Sequence, residues 1–214
     1  MQLSDLSRRS LDKLLDQVEQ TTEVVEYLKG RGLTKHSADM FRLGAVPGET
    51  SGEWQEYRGM LAIPYETVTG PVAVKFRRLD GGTPKYTAPK GQGTRLFNAT
   101  AVLDPGPQLV VVEGELDAIT MHGECGVPAV GVPGAQAWRS HYRRVVESFG
   151  DVVILTDNDD KKDGQNPGLD LALKVRESVR SSRIVSLPPG HDVNSFFLDY
   201  GKGELLKLLE TPGF

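Results

Sequence analysis

The chain has 214 residues, a formal charge of -4 and an apolar fraction of 38%, or about 46% with glycine counted in and tyrosine out, which is the ordinary globular share and excludes disorder throughout. The length allows one large or two small domains. No run approaches the ~18 apolar residues of a spanning helix, and MQLSDLSRRSLDKLL lacks the apolar block of a secretory signal, so a cytoplasmic protein with no membrane partner is expected.

Leu3, Leu6, Leu11, Leu14, Leu15 and Val18 recur at helical spacing, and Val24, Val25 and Leu28 extend the pattern toward Gly30 and Gly32, so the first forty residues are predicted to be helical. Thr34 is placed to cap a short helix through Ala38, Met40 and Phe41. The segment AVPGETSGEW has the Pro/Gly/Ser content of a loop and marks a boundary. Beyond it, MLAIPYE and PVAVKFRRL are β-rich runs joined through TVTG, an antiparallel pair. Residues 58–98 hold seven Lys/Arg against two Asp/Glu, whereas residues 104–200 hold nine against fifteen. Either the two blocks line one cleft, the basic one facing phosphate, or they are two differently charged solvated faces. GQGTRL has two of the three glycines of a dinucleotide fingerprint and follows loop, which leaves a nucleotide-contacting loop or a plain linker.

From Leu109 the texture changes. QLVVVEG, VPAVGVPG, DVVILTD and SRIVSLPPG are apolar, strand-like runs separated by predicted helices at 116–123, 135–148 and 168–180, with a short amphipathic helix, KGELLKLLE, at the end. Strands apolar on both faces and alternating with helices predict an α/β domain, a parallel sheet flanked by helices, over residues 104–214. The preceding part, 1–103, reads as a small helical and α+β basic subdomain. Cys125, the single cysteine, excludes an internal disulfide and a cysteine-based zinc site, and reads as a small buried residue. Trp54 and Trp138 read as core aromatics, and the four histidines show no metal-ligand spacing.

In an open parallel sheet ligands bind at the carboxyl ends of the strands, and the acids fall there. VVV runs into Glu113, Gly114 and Asp117; VVILT into Asp157, Asn158 and Asp159; IVSLPPG into His191 and Asp192. The intervals between these groups leave room for a crossover each. Carboxylates crowded together repel, and the physical remedy is Mg²⁺ or Mn²⁺ bound through oxygen, two or more ions being expected here, with no zinc. A lone Asp-x-Asp is weak evidence; the ordered set on one sheet is strong.

That ordered set, VVVEGELDA, then VVILTDNDD, then LPPGHDVNSF, resembles the Toprim domain of primases, topoisomerases, recombination mediators and nucleases. Upstream, RLDGGTPKYTAPKGQGTRLFN resembles the basic segment of DnaG-type primase cores: Arg77, Asp80, Gly82, Pro84, Lys85 and Tyr86 match in order, and YLKGRGLTKHSADMFRLG is similar to the core's opening helices. The resemblance implies primer synthesis, a metal-dependent nucleotidyl transfer from ribonucleoside triphosphates on a single-stranded DNA template. By position it makes Glu113, Asp157 and Asp159 catalytic metal ligands with Asp192, and Asp117 a secondary candidate. It gives phosphate contacts to Arg77 and Lys85; Arg78 and Arg95 are expected to join them in a basic wall, Tyr86 to contact nucleic acid or nucleotide, and Lys75 and Lys90 to stand behind them. The alternatives are a Toprim nuclease and a non-catalytic recombination or DNA-binding module. DNDDKKDGQNPG is longer than the family's Asp-x-Asp-x-x-Gly, Asn194 stands where many relatives carry an acid, and Ala88 replaces an Asn. One cysteine cannot build the family's zinc ribbon and no Walker sequence is present, so a separate helicase and a zinc-bearing template-recognition protein are expected partners.

Overall fold

The computed structural model describes residues 3–103, 106–134, 136–158 and 166–213, without the side chains of Leu6 and Gln20. Asp159, Asp160 and Asp163 therefore lie outside the described residues. Two compact units divide the chain, residues 1–93 and 94–214.

The first unit opens with α1 (Asp5–Asp12), α2 (Thr22–Gly30) and α3 (Lys35–Met40). Ser4 caps α1 by accepting from the Ser7 amide, and Thr34 caps α3 by accepting from Ser37. An antiparallel sheet follows in the order β1 (Gly44–Ala45), β2 (Leu61–Thr67), β3 (Gly70–Arg77), β4 (Tyr86–Thr87). β2 and β3 form the expected hairpin, Leu61 opposite Arg77 and Thr67 opposite Gly70, with a bulge at Tyr65 and Glu66.

The predicted boundary at AVPGETSGEW is corrected by the structure. Residues 52–57 form a 3₁₀ turn whose Trp54 and Tyr57 are buried. Tyr57 stacks on Phe76 at 3.9 Å between ring centres, and Trp54 lies 5.7 Å from the same ring. These rings and Leu11, Leu14 and Leu15 make one core, so burial of aromatic surface holds the segment inside the unit.

Among its described residues the second unit holds four parallel strands, β5 (Gln108–Glu113), β6 (Ala129–Val132), β7 (Asp151–Thr156) and β8 (Ser182–Ser186), in the order β6-β5-β7-β8. All four were expected as apolar runs. The helices are α4 (Glu115–Ile119), extended by a π-helical turn through Glu124, α5 (Arg143–Val146), α6 (Pro167–Ser178) and α7 (Val193–Leu209), which kinks at Gly201 where φ is +80°. Residues 94–103, expected with the basic subdomain, cluster here: Phe97 bridges Gly131 on β6 through paired backbone hydrogen bonds. The helix predicted over 135–148 is also corrected. A 3₁₀ turn at Ser140–Tyr142 leads into the single turn of α5. Trp138 turns into the core and its Nε1 donates to Ser178 at 3.0 Å, while the Tyr142 hydroxyl donates to the Thr94 carbonyl at 3.0 Å. These distant partners override local helical pattern.

Close packing decides two glycines. A Cβ on Gly131 would stand 2.3 Å from the Gly114 carbonyl oxygen, and one on Gly168 2.8 Å from that of Asp157. The Gly131→Ala variant should therefore lose about 1–3 kcal/mol, read from its urea unfolding midpoint. At the far end of the sheet, Arg183 donates to both carboxylate oxygens of Asp151 at 3.1 and 2.9 Å. That hydrogen bond holds the Asp151 pKa below its ordinary value. The pair thus adds stability above about pH 4 that disappears as pH falls through the lowered value; Asp151→Asn should flatten the acid limb of a stability-against-pH curve.

Candidate functional site

The parallel register of the second unit brings the acids to one edge. Gln108 pairs with Asp151 and Val111 with Ile154, so the same register two residues on sets Glu113 beside Thr156, with Asp157 next in the chain. Both strands are central, and both Glu113 and Asp157 are half-buried. Gly114, at φ +103°, makes the turn from β5 into α4 that a side chain would oppose. Beyond β7, Asn158 is tied to the loop before α7: its amide donates to the His191 carbonyl, its Nδ2 to Leu187, and its carbonyl accepts from Gly190 at 2.7 Å. Gly168 lets α6 approach the Asp157 backbone.

Two acids expected near this rim have other partners. Asp117 is 8% exposed, and its Oδ1 accepts from the Asn194 amide at 3.1 Å. Asp192 is the N-cap of α7: its Oδ1 accepts from the Ser195 amide at 2.6 Å and the Ser195 hydroxyl closes a capping box. The signal was legible as Asp-x-x-Ser before an apolar run. Carboxylate oxygens on neighbouring strand ends are the donors a hard divalent cation takes, and Glu113 and Asp157 fit it. Among the described residues no group of three or more His, Cys, Asp or Glu gathers for a metal; Asp159 is not among them.

In the first unit the basic residues divide by burial. Arg77, expected to meet phosphate, is only 9% exposed. Its guanidinium lies 5.1 Å from the Tyr27 ring centre and 4.8 Å from that of Tyr86; Arg31 is 5.6 Å from Tyr27, and Lys75 4.6 Å from Tyr86. Three cations thus interleave with two tyrosines and bind α2 to β3 and β4. Burial raises the Tyr27 hydroxyl above its ordinary pKa, against the pull of Arg77 and Arg31. Arg78 is held by Asp80, its Nε and Nη2 donating at 3.0 and 2.6 Å, and this hydrogen bond pulls the Asp80 pKa down to about 2. Lys85 and Lys90 are exposed. Arg95, half-buried, belongs to the second unit.

GQGTRL proves to be a docked loop. The Gln92 amide imitates a strand, accepting from the Val74 N–H and donating to the Val74 carbonyl, both at 2.9 Å. Cys125 is buried as expected, and burial pushes its thiol up to about 11.

A family model described as Toprim-like matches residues 110–197. The gene 57 protein of Mycobacterium phage D29 is 40% identical over 156 residues, covering 71% of this chain and 98% of the phage protein. The DNA primase of Haemophilus influenzae is 25% identical over 235 residues, covering 92% of this chain and 40% of that primase. Among solved structures, a DnaG catalytic core matches with a TM-score of 0.78 at 21% identity, over 95% of this chain and 78% of that one. A DnaG primase catalytic domain bound to single-stranded DNA matches with 0.76 at 21% identity, over 95% and 79%. The chain belongs to the family of the phage gene 57 protein. Its fold is that of the DnaG catalytic cores, with a Toprim-like domain over residues 110–197. The chain spans under half the length of the bacterial DNA primases it matches. No helix among the described residues is long and apolar enough to cross a membrane.

Within this Toprim-like domain, sequence reasoning passed over Thr120 and gave no bonding role to Asn158 and Asn194, whose amides, with the Thr120 hydroxyl, tie the rim together. Polar residues beside an acid motif were the available signal. For the basic part of the core, a double-mutant cycle on Tyr27→Leu and Arg77→Met, followed by urea unfolding, should give a coupling of about 0.5–2 kcal/mol; simple additivity would remove the interleaved stack as a stabilising element.

Proposed function

We propose that the chain joins ribonucleotides into short RNA primers on single-stranded DNA. The observation that carries this reading is the exit of Glu113 and Asp157 from adjacent parallel strands at one edge of a Toprim-type sheet. In the reaction the 3′-hydroxyl of one ribonucleotide attacks the α-phosphate of the next; the new P–O bond replaces the bond to pyrophosphate, and the hydroxyl proton leaves. Glu113, Asp157 and Asp159 would hold Mg²⁺ or Mn²⁺, which when bound draws charge from the phosphate and acidifies the attacking hydroxyl. Glu113 serves as one of these ligands or accepts the hydroxyl proton. Asp192, engaged as a helix cap, keeps the loop beside Asn158 in place.

Exposed Lys85 and Lys90 take the template or triphosphate phosphates in this reading, with Arg78 and Arg95 as further cations. Arg77 and Lys75 act one step back, through Tyr86, which neighbours Lys85 in the chain. The solved relative carrying single-stranded DNA supports that partner class. The proposal also calls on a helicase and a zinc-bearing template-recognition module.

Incubating the full chain with single-stranded DNA, four ribonucleoside triphosphates and Mg²⁺ or Mn²⁺ should yield oligoribonucleotides, and Asp157→Ala should cut their yield by about a hundredfold or more. Degradation of the DNA instead would replace primer synthesis with nuclease chemistry. Lys85→Ala should lower the slope of log affinity for single-stranded DNA against log salt by about 0.7, the loss of one phosphate contact, while Arg77→Met should leave that slope unchanged.

A further inference from the structure

Asp117 lies one helical turn beyond Glu113, in α4, yet its carboxylate turns away from solvent. It is 8% exposed, and its Oδ1 accepts the backbone N–H of Asn194 at 3.1 Å, 77 positions along the chain. Asn194 sits in the first turn of α7 and is 1% exposed. Its side chain completes a second leg: Nδ2 donates to Thr120 Oγ1 at 2.9 Å, and that hydroxyl donates in turn to the Leu116 carbonyl at 2.9 Å within α4. Thr120 is fully buried. A carboxylate facing the first amides of a helix is favoured by the exposed N–H groups there and by the helix dipole. The other oxygen is also confined, since a Cβ on Gly114 would stand 3.1 Å from Asp117 Oδ2.

The start of α7 is bound equally to the opposite acid strand. Asp192 caps it, His191 accepts from the Asn158 amide, Gly190 donates to the Asn158 carbonyl, and Leu187 donates to the Thr156 carbonyl. A closed circuit therefore runs from the Glu113 turn through Asp117, Asn194 and the loop before α7 to Asn158, and so to Asp157. We infer that Asp117 is a positioning residue: it clamps the start of α7 to α4 and so fixes the separation of the Glu113 and Asp157 turns, without itself holding the metal. Its consequence for metal affinity rests on the proposed function; the clamp itself does not.

Asp117→Asn and Asp117→Ala remove the same charge, but only the first keeps an oxygen that can accept from Asn194. In the full chain, Mn²⁺ binding followed by calorimetry should be about 10–100-fold weaker in Asp117→Ala than in Asp117→Asn, the usual cost of losing a residue that orients a ligand. Amide hydrogen exchange at Asn194, measured without metal, should be fast in the alanine variant and near the parent rate in the asparagine one. Equal Mn²⁺ affinities, or equal exchange rates, in the two variants would overturn the assignment. Should Asp117→Ala lose its helical circular dichroism, Thr120→Val carries the test, because it breaks the second leg and removes no carboxylate: weaker Mn²⁺ binding with faster Asn194 exchange supports the clamp, and no change in either overturns it. Asp157→Ala in the same calorimetry separates the two ideas. Parent-like Mn²⁺ binding there defeats the metal reading alone, while the exchange rates still decide the clamp.

Discussion

Everything at the candidate site depends on two parallel strands leaving their sheet at the same edge. The pairing of Gln108 with Asp151 and Val111 with Ile154 fixes where Glu113 and Asp157 emerge, since a slip of one residue would exchange the side chains of β5 or β7 between two covered faces and break the packing of both. Residues 109–112 and 152–155 are all essentially buried, so such a slip would leave voids and clashes on both faces, at about 1–3 kcal/mol for each misfitted side chain. Two unit charges roughly 6 Å apart repel by about 3 kcal/mol at an effective dielectric of about 20. Burial along the strands therefore outweighs repulsion at their ends, and a fold of this kind can keep acids together that would separate on a flexible scaffold. The carboxylates are held by hydrophobic register, and their mutual repulsion is what a divalent cation would relieve.

The same logic explains why this part of the molecule was legible from the chain alone. An apolar run ending in an acid carries both its burial and its edge in a few adjacent letters, as in β5 into Glu113 and β7 into Asp157, while β6 and β8 show the apolar run alone. The misread segments have their reasons at a distance. Nothing local in Trp54 or Tyr57 announces Phe76, some twenty residues later, as the ring they pack on. Residues 135–148 carry a passable helical pattern, but Trp138 is claimed by Ser178 and Tyr142 by Thr94. Residues 94–103 follow the basic segment in sequence and yet pair with Gly131. At Asp192 the cap was hidden for a different reason: an acid after a strand and before a helix satisfies both the rule for a ligand at a strand end and the rule for a cap, and composition does not choose between them.

Counting charge along a chain also conceals what each charge does. The excess of Lys and Arg over residues 58–98 reads as one basic surface, but its members differ in fate. Arg77 and Lys75 engage tyrosine rings, Arg78 is occupied by Asp80, and Lys85 and Lys90 reach solvent. A guanidinium suits the first role better than an ammonium because its flat, weakly hydrated face loses less on leaving water and can lie against an aromatic ring. The short β4, two residues long, has little backbone pairing of its own, and the interleaved stack supplies the order that those few hydrogen bonds do not. A lysine on backbone ordered in advance loses less entropy on meeting a phosphate than the same lysine on a loose loop.

Helix α7 shows how that principle of advance ordering extends to the acid rim. Its first turn is fastened by the Asp192 cap and by Asn194 on Asp117, at the carboxyl edge of the sheet. Its last turn is fastened at the opposite edge, where Arg183, already paired with Asp151, donates to the Leu209 and Thr211 carbonyls. An unbroken helix fixed at both ends would have to match the sheet in length and direction, and any mismatch would strain one anchor or the other. Gly201, at φ +80°, lies between the two anchors and takes a backbone conformation that other residues resist. The break lets each half settle on its own contacts, so the loop against Asn158 is set by the scaffold before any ligand arrives. A site arranged in this way spends little of its binding energy on ordering protein.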